Sequence, residues 1–244
     1  MSAQMVFKRY EMKYLLSGEQ KERVLYAMAP YMQLDSYGRS IIRNIYYDTD
    51  TYRLIRTSLE KPIYKEKLRV RSYGAAKPED KVFVELKKKY DSVVYKRRTH
   101  MTERQAAEYL AGAVSAPIHS HITEEMDYFL KFYKTLGPKV FLSYEREAFY
   151  TRESGEFRVT FDENILFRQE ELSLGSGIYG EALLEPGQTL MEIKTPGSIP
   201  LWMVRVLTEE KIHKTSFSKY GNAYQILFRS FLYNSNIGNS KKGG

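Results

Sequence analysis

The sequence predicts a single α+β domain, and three observations carry that prediction. Short segments alternate charged with apolar residues, so that at least five strands each present one charged and one apolar face. Between them, Ser/Thr-x-x-Gln capping boxes open stretches with helical apolar spacing. No internal repeat and no Gly/Ser/Pro-rich linker divides the 244 residues, a length that buries a sizeable core. With 43% hydrophobic and 28% charged residues the composition is globular.

In chain order, Val6 to Leu16 reads as a strand with Arg9, Glu11 and Lys13 on one face. Ser17-Gly-Glu-Gln20 opens a helix to about Met32, and a polar connection leads to a β-rich run from Ser40 to Tyr47. Asp48-Thr49-Asp50 stops that run and caps a helix from Thr51 to about Leu59. A hairpin follows, Tyr64 to Arg71 and Val82 to Lys89 around a Gly- and Pro-containing loop, then a strand from Val93 to His100 carrying Lys96, Arg97 and Arg98. Thr102-Glu-Arg-Gln105 opens a short helix to about Ala111, and Thr123 to Leu136 has Met126, Phe129, Leu130 and Tyr133 at helical spacing. Strands return at Lys139 to Thr151, Phe157 to Asp162 and Leu190 to Lys194. A helix from Pro200 to about Glu210 and one from Ser216 to about Tyr233 complete a domain over residues 1–233, leaving 234–244 as a loose polar tail.

The hairpin organises the charge. One face carries Lys65, Lys67, Arg69 and Arg71, and the facing strand carries Glu85, Lys87 and Lys89. Like charges opposed across a sheet repel, so folding alone does not ask for this pattern. Arginine forks suit phosphate oxygens, which makes a polyanion site the functional reading and a solvated face the bland one. Residues 61–100 hold 13 Lys/Arg against 5 Asp/Glu, which equals the whole net charge of +8. The excess is therefore localised, as at a site. The cations share their own strand face with no aromatic residue, which argues against a single-stranded nucleic-acid binder.

Other chemistries are excluded or weakened. With no cysteine there is no disulfide and no thiolate chemistry. No apolar run approaches a membrane span, and the N-terminus lacks a signal-peptide apolar block, so a cytoplasmic location is expected. Gly175-Ser-Gly-Ile-Tyr-Gly180 matches the dinucleotide fingerprint literally, but without a βαβ context it reads as a mobile loop. His100, His119, His121 and His213 show no zinc spacing. Whether the charged faces point into a closed tube or out to solvent, the pattern leaves open.

Taken together, Arg9-Tyr-Glu11-Met-Lys13-Tyr14, Tyr46-Tyr47-Asp48-Thr49, Leu68-Arg69-Val70-Arg71, Glu85-Leu86-Lys87, Tyr144-Glu145-Arg146, Arg158-Val-Thr-Phe-Asp162, Glu192-Ile193-Lys194 and Ser216-Phe-Ser-Lys219 resemble an ordered motif set. It is that of the vacuolar transporter chaperone (VTC) polyphosphate polymerase domain, within the CYTH-like triphosphate tunnel metalloenzymes. The likeness runs from about Phe7 to Phe228. It departs from the CYTH branch, which has Glu-x-Glu-x-Lys where this chain has Arg9. The resemblance implies a closed antiparallel β-barrel, the triphosphate tunnel, with helices packed outside. It implies Lys13, Arg69, Arg71 and Lys87 as catalytic cations, and Arg9, Lys67, Lys89, Arg146, Arg158, Lys194, Ser218 and Lys219 as phosphate-binding residues. Glu192, with Glu11 and Glu85, would hold Mn²⁺ or Mg²⁺. The implied reaction passes the γ-phosphate of ATP to a polyphosphate chain, with a membrane-channel partner receiving the product. A triphosphatase, or a non-catalytic polyphosphate or inositol-phosphate binding module, are the alternatives, and nucleic acid is not expected. An empty tunnel of this charge is expected to be strained by cation repulsion.

Overall fold

A computed structural model describes residues 10–91, 93–153 and 156–240. Eleven strands form one antiparallel sheet: β1 Tyr10–Leu16, β2 Met32–Leu34, β3 Ser40–Asp48, β4 Tyr64–Tyr73, β5 Lys81–Tyr90, β6 Val93–Thr102, β7 Gly137–Thr151, β8 Arg158–Arg168, β9 Glu181–Ala182, β10 Thr189–Thr195 and β11 Lys214–Thr215. The order is β11-β1-β10-β8-β7-β3-β4-β5-β6, with β2 on β7 and β9 on β8. The helices are α1 Gly18–Met28, α2 Arg53–Leu59, α3 Glu103–Leu110, α4 His121–Phe132, α5 Leu201–Glu209 and α6 Lys219–Ser240. Three capping boxes form: Ser17 with Gln20, Thr102 with Gln105, and Ser120 with Thr123.

The alternation places the apolar faces outside, under helices. Ile45, Tyr47, Leu68, Val70, Val84, Leu86 and Met101 pack with Ala106, Tyr109 and Leu110 of α3 and Met126 and Phe129 of α4. At the other end of the sheet, Tyr14, Leu16, Val159, Phe161, Met191 and Ile193 pack with Val24 and Met28 of α1 and Met203, Val206 and Leu207 of α5. A third apolar cluster lies on the opposite, charged face. There Ile42, Tyr46, Leu142, Tyr144 and Leu190 meet Ile55 of α2 and Tyr220 and Ala223 of α6. Buried Asp48 fixes this plug: its carboxylate accepts from the backbone N–H of Leu54 and Ile55 and from the Tyr220 hydroxyl.

The charged face is concave. Glu11 Oε2 on β1 lies 3.7 Å from Lys87 Nζ on β5, although five strands separate β1 from β5 in the sheet order. Lys13 Nζ of β1 donates to the Phe217 carbonyl and Lys67 Nζ of β4 to Ser218 Oγ, so the segment entering α6 also touches both sides. These joins are made by side chains. Among the described residues no hydrogen bonding pairs β6 with β1 or β11, so the sheet curls into a tube-like trough without the closure expected of a barrel. Strand β6 supplies no partner because its ten residues pair with β5 alone.

Other expectations shift as well. The first helix ends at Met28, since Met32–Leu34 turn out to pair with β7, in the stretch read as a polar connection. Strand β8 runs on to Arg168, well past Asp162. The last helix continues to Ser240, beyond the predicted end near Tyr233, so most of the expected loose tail is helical backbone. The Gly-rich loop is tied down rather than free: buried Arg43 donates to the carbonyls of Leu174 and Ser176, and Arg168 to those of Glu170, Glu171 and Tyr179. Gly180 is needed there, because its φ is +140° and a Cβ would meet the Phe167 carbonyl oxygen at 2.2 Å.

Candidate functional site

The trough is lined by side chains that alternate out of successive strands. Glu11 and Lys13 come from β1, Glu192 and Lys194 from β10, Thr160 and Asp162 from β8, and Tyr144 and Arg146 from β7. Asn44 and Tyr46 come from β3, Lys67, Arg69 and Arg71 from β4, Glu85 and Lys87 from β5, and Lys96 and Arg98 from β6. Register fixes the neighbours: Lys13 faces Glu192, which faces Thr160, and Arg69 faces Glu85, which faces Arg98.

Three acid-centred clusters organise the charge. Around Glu192, Lys194 Nζ stands at 2.5 Å and Lys13 Nζ at 3.6 Å, and Lys13 also lies 3.3 Å from Glu11. Burial opposes ionisation of Glu192, yet Lys194, Lys13, Arg146 and Lys219 hold its carboxyl well below the usual range. Around Asp162, Arg146 binds both carboxylate oxygens at 2.6 and 2.7 Å, and Lys219 stands at 2.5 Å. Around Glu85, whose side chain is 1% exposed, stand Arg69 and Lys96 at 2.7 Å and Arg98 at 2.9 Å. Burial disfavours this carboxylate too, but Arg69, Arg71 and Lys96 outweigh it and keep it ionised. Each of these clusters has a buried acid at its centre, and such paired acids offset part of the expected cation repulsion.

Between the clusters sits an aromatic-cationic patch. Tyr46 Oη accepts from Arg69 at 3.0 Å, and its ring stacks on Tyr220 with centroids 4.6 Å apart. Arg71 donates to Asn44 Oδ1 at 2.9 Å and to Tyr144 Oη at 3.0 Å, while Arg146 and Lys219 lie over the Tyr144 ring. The reading of an aromatic-free cationic face is corrected here. Alternation within one strand cannot reveal tyrosines delivered by the neighbouring strands β3 and β7. Burial pulls the Lys67 amine down to about 8, with Lys87 and Lys13 adding to it. Burial alone would raise the Tyr46 phenol, but Arg69, Lys67 and Arg71 bring it to about 8.

Both groups lose their protons earlier in the folded chain than in the unfolded one, from ordinary values of 10.5 and 10.0. From pH 8 to 10 the unfolded state binds more protons, so stability conferred by these groups rises with pH. The ligand-free protein should therefore gain in Tm relative to Lys67→Met over that window. A flat difference between the two melting curves would refute the assignment.

The remaining expected site residues fall at the edges of this arrangement. Lys87 is partly exposed beside Glu11, and Lys89 pairs in register with Lys65 further along β5. Arg158 is exposed, opposite Lys194 in register. Ser218 Oγ accepts from Lys67 and from the Gly221 N–H, capping α6. Arg9 lies outside the described residues. Sequence reasoning passed over Tyr46, Tyr144, Asn44, Thr160, Asp162, Lys96 and Arg98 as site residues. For Lys96, Arg98 and Asp162 the strand alternation was a usable signal. The four histidines are exposed: His100 shares the alternation of Lys96 and Arg98 on β6, His119 and His213 lie in loops, and His121 opens α4.

Glu11 and Glu192 are the carboxylates at this end that would hold a divalent cation. These two carboxylates flank one ammonium and offer hard oxygen donors, which suit Mg²⁺ or Mn²⁺. No group of three or more His, Cys, Asp or Glu gathers among the described residues, so such an ion would complete its shell with water or ligand oxygens. Glu85, by contrast, is engaged by three cations.

No curated protein matches the chain. Among solved structures, one from Bacillus halodurans described as an adenylate cyclase candidate has 18% identity, covering 86% of this chain and 95% of its own, with a TM-score of 0.52. That likeness shows the fold. A Vibrio parahaemolyticus protein of the same description has 11% identity, 90% and 99% coverage and a TM-score of 0.48. A Hippeastrum protein described as having a dominant triphosphatase activity has 16% identity, 90% and 94% coverage and a TM-score of 0.46. The profile of the VTC domain matches residues 8–228, nearly the whole chain, and the protein therefore belongs to the VTC domain family.

Proposed function

We propose that this protein is a metal-dependent polyphosphate polymerase, transferring the γ-phosphate of ATP to a polyphosphate chain lying in the trough. The observation that carries the reading is the curled cationic face with Glu11 and Glu192 flanking Lys13 at one wall. Phosphoryl transfer asks chiefly for alignment and charge stabilisation. Arg69, Arg71, Arg146 and Lys219 are held by acids or hydrogen bonds in fixed positions, so their unused N–H groups are preorganised for phosphate oxygens. Lys67, Lys87, Lys89 and Lys194 extend the cationic track, with Arg158 at its exposed edge. A divalent metal held by Glu192 and Glu11 would supply charge neutralisation among the transferring oxygens. A terminal oxygen of the acceptor chain attacks the γ-phosphorus, the bond to the β,γ-bridging oxygen breaks, and ADP leaves.

Glu192 speaks against simple polyanion binding, since a buried acid weakens anion affinity unless it serves a metal. No described helix is long and apolar enough to cross a membrane. A membrane-channel partner would receive the product. The reading is tested by incubating the protein with ATP and Mn²⁺ and resolving products by gel and by phosphate release. Long chains are expected. Orthophosphate released from triphosphate, without chains, would make it a hydrolase, and neither product would leave a binding module.

A further inference from the structure

We infer that Tyr46 is an uncharged anion-binding residue of the trough, donating its phenolic proton to an oxygen of the bound phosphate chain. The inference rests on the phosphate-site reading above. A phenol has one proton to donate and lone pairs to accept with. The Tyr46 oxygen accepts from Arg69, but among the described residues its own proton meets no acceptor. The residue is only 6% exposed, and a buried O–H without an acceptor is costly. The buried acids of the trough turn to cations instead, Glu85 to Arg69, Lys96 and Arg98, and Asp162 to Arg146 and Lys219. An acceptor therefore has to arrive from outside, and in a trough of cations that acceptor is an oxyanion.

The phenol is also held rigidly. Its ring stacks on Tyr220, whose hydroxyl donates to the same Asp48 carboxylate that caps α2. A second hydroxyl repeats the pattern two strands away, on β8. Thr160 Oγ1 is buried without a hydrogen-bond partner among the described residues, on the strand position facing Glu192. The trough thus presents neutral donors among its charged ones. The two kinds differ physically, because salt screens the attraction of Lys and Arg for an anion but hardly affects a neutral O–H donor.

That difference supplies the test. Triphosphate binding is measured by calorimetry, without metal, across a salt series for wild type, Tyr46→Phe, Thr160→Val and Lys87→Ala. Phe preserves the stack on Tyr220, and the melting temperatures report whether each variant folds. Tyr46→Phe is expected to weaken binding about tenfold at every salt concentration, giving a line parallel to wild type. Lys87→Ala should flatten the salt slope. Thr160→Val should behave as Tyr46→Phe does, with Thr160→Ser restoring affinity. Unchanged affinity in folded Tyr46→Phe, or a loss that vanishes at high salt, overturns the inference while leaving the phosphate site standing. Wild-type protein that binds no triphosphate overturns both.

Discussion

Glu192→Gln is expected to abolish metal-dependent turnover while triphosphate still binds. The substitution keeps shape and removes the charge that two lysines now share at 2.5 and 3.6 Å. A metal ligand contributes several kcal/mol to phosphoryl transfer, so a loss of roughly a thousandfold in rate is expected. Mn²⁺ affinity, read by electron paramagnetic resonance, should fall in parallel. Triphosphate affinity without metal should hold or improve, because one negative charge has left the trough. Full Mn²⁺-supported activity in the variant would remove Glu192 from the metal site.

Glu85→Gln should behave in the opposite way, as a stability mutant. Its carboxylate is almost fully buried and is met by Arg69, Lys96 and Arg98. Removing one partner of a buried ionic cluster leaves uncompensated charge, at a cost of about 3–5 kcal/mol. At about 2–4 °C per kcal/mol for a chain of this size, melting should drop by roughly 6–20 °C. Triphosphate should restore part of that loss, since an anion can replace the missing charge. A variant that melts like wild type but no longer takes up Mn²⁺ would return Glu85 to the metal-ligand role that the motif likeness implies.

The strands of the site were legible because alternation is a local property. Lys67-Leu68-Arg69-Val70-Arg71 declares both of its faces without reference to any neighbour, and the structure puts Leu68 and Val70 under α3 and α4. Capping boxes at Ser17 and Thr102 marked helix starts for the same reason. What escaped depends on register. Tyr46 looks like one apolar strand residue among several until β3 pairs with β4 and sets it beside Arg69. Asp162 looks like a strand-end acid until Arg146 and Lys219 close on it from different elements. The extra length of α6 escaped because its polar C-terminal residues, Asn234 to Ser240, carry no helical apolar stripe.

The open edge of the sheet has a consequence for how a polymer gets in. A tube sealed all round by backbone must be threaded from an end, so a chain with bulky groups at both termini could never enter. Here the two margins are joined by side chains, among them the partly exposed Glu11–Lys87 pair, and such a contact contributes at most about 1 kcal/mol. Parting it leaves the helix-packed cores on the other face untouched. With the Lys13–Phe217 and Lys67–Ser218 contacts parted as well, a long substrate would be laid in sideways, engaged at an interior segment and released without sliding its full length. A polyphosphate blocked at both ends should compete for the site as well as an unblocked one.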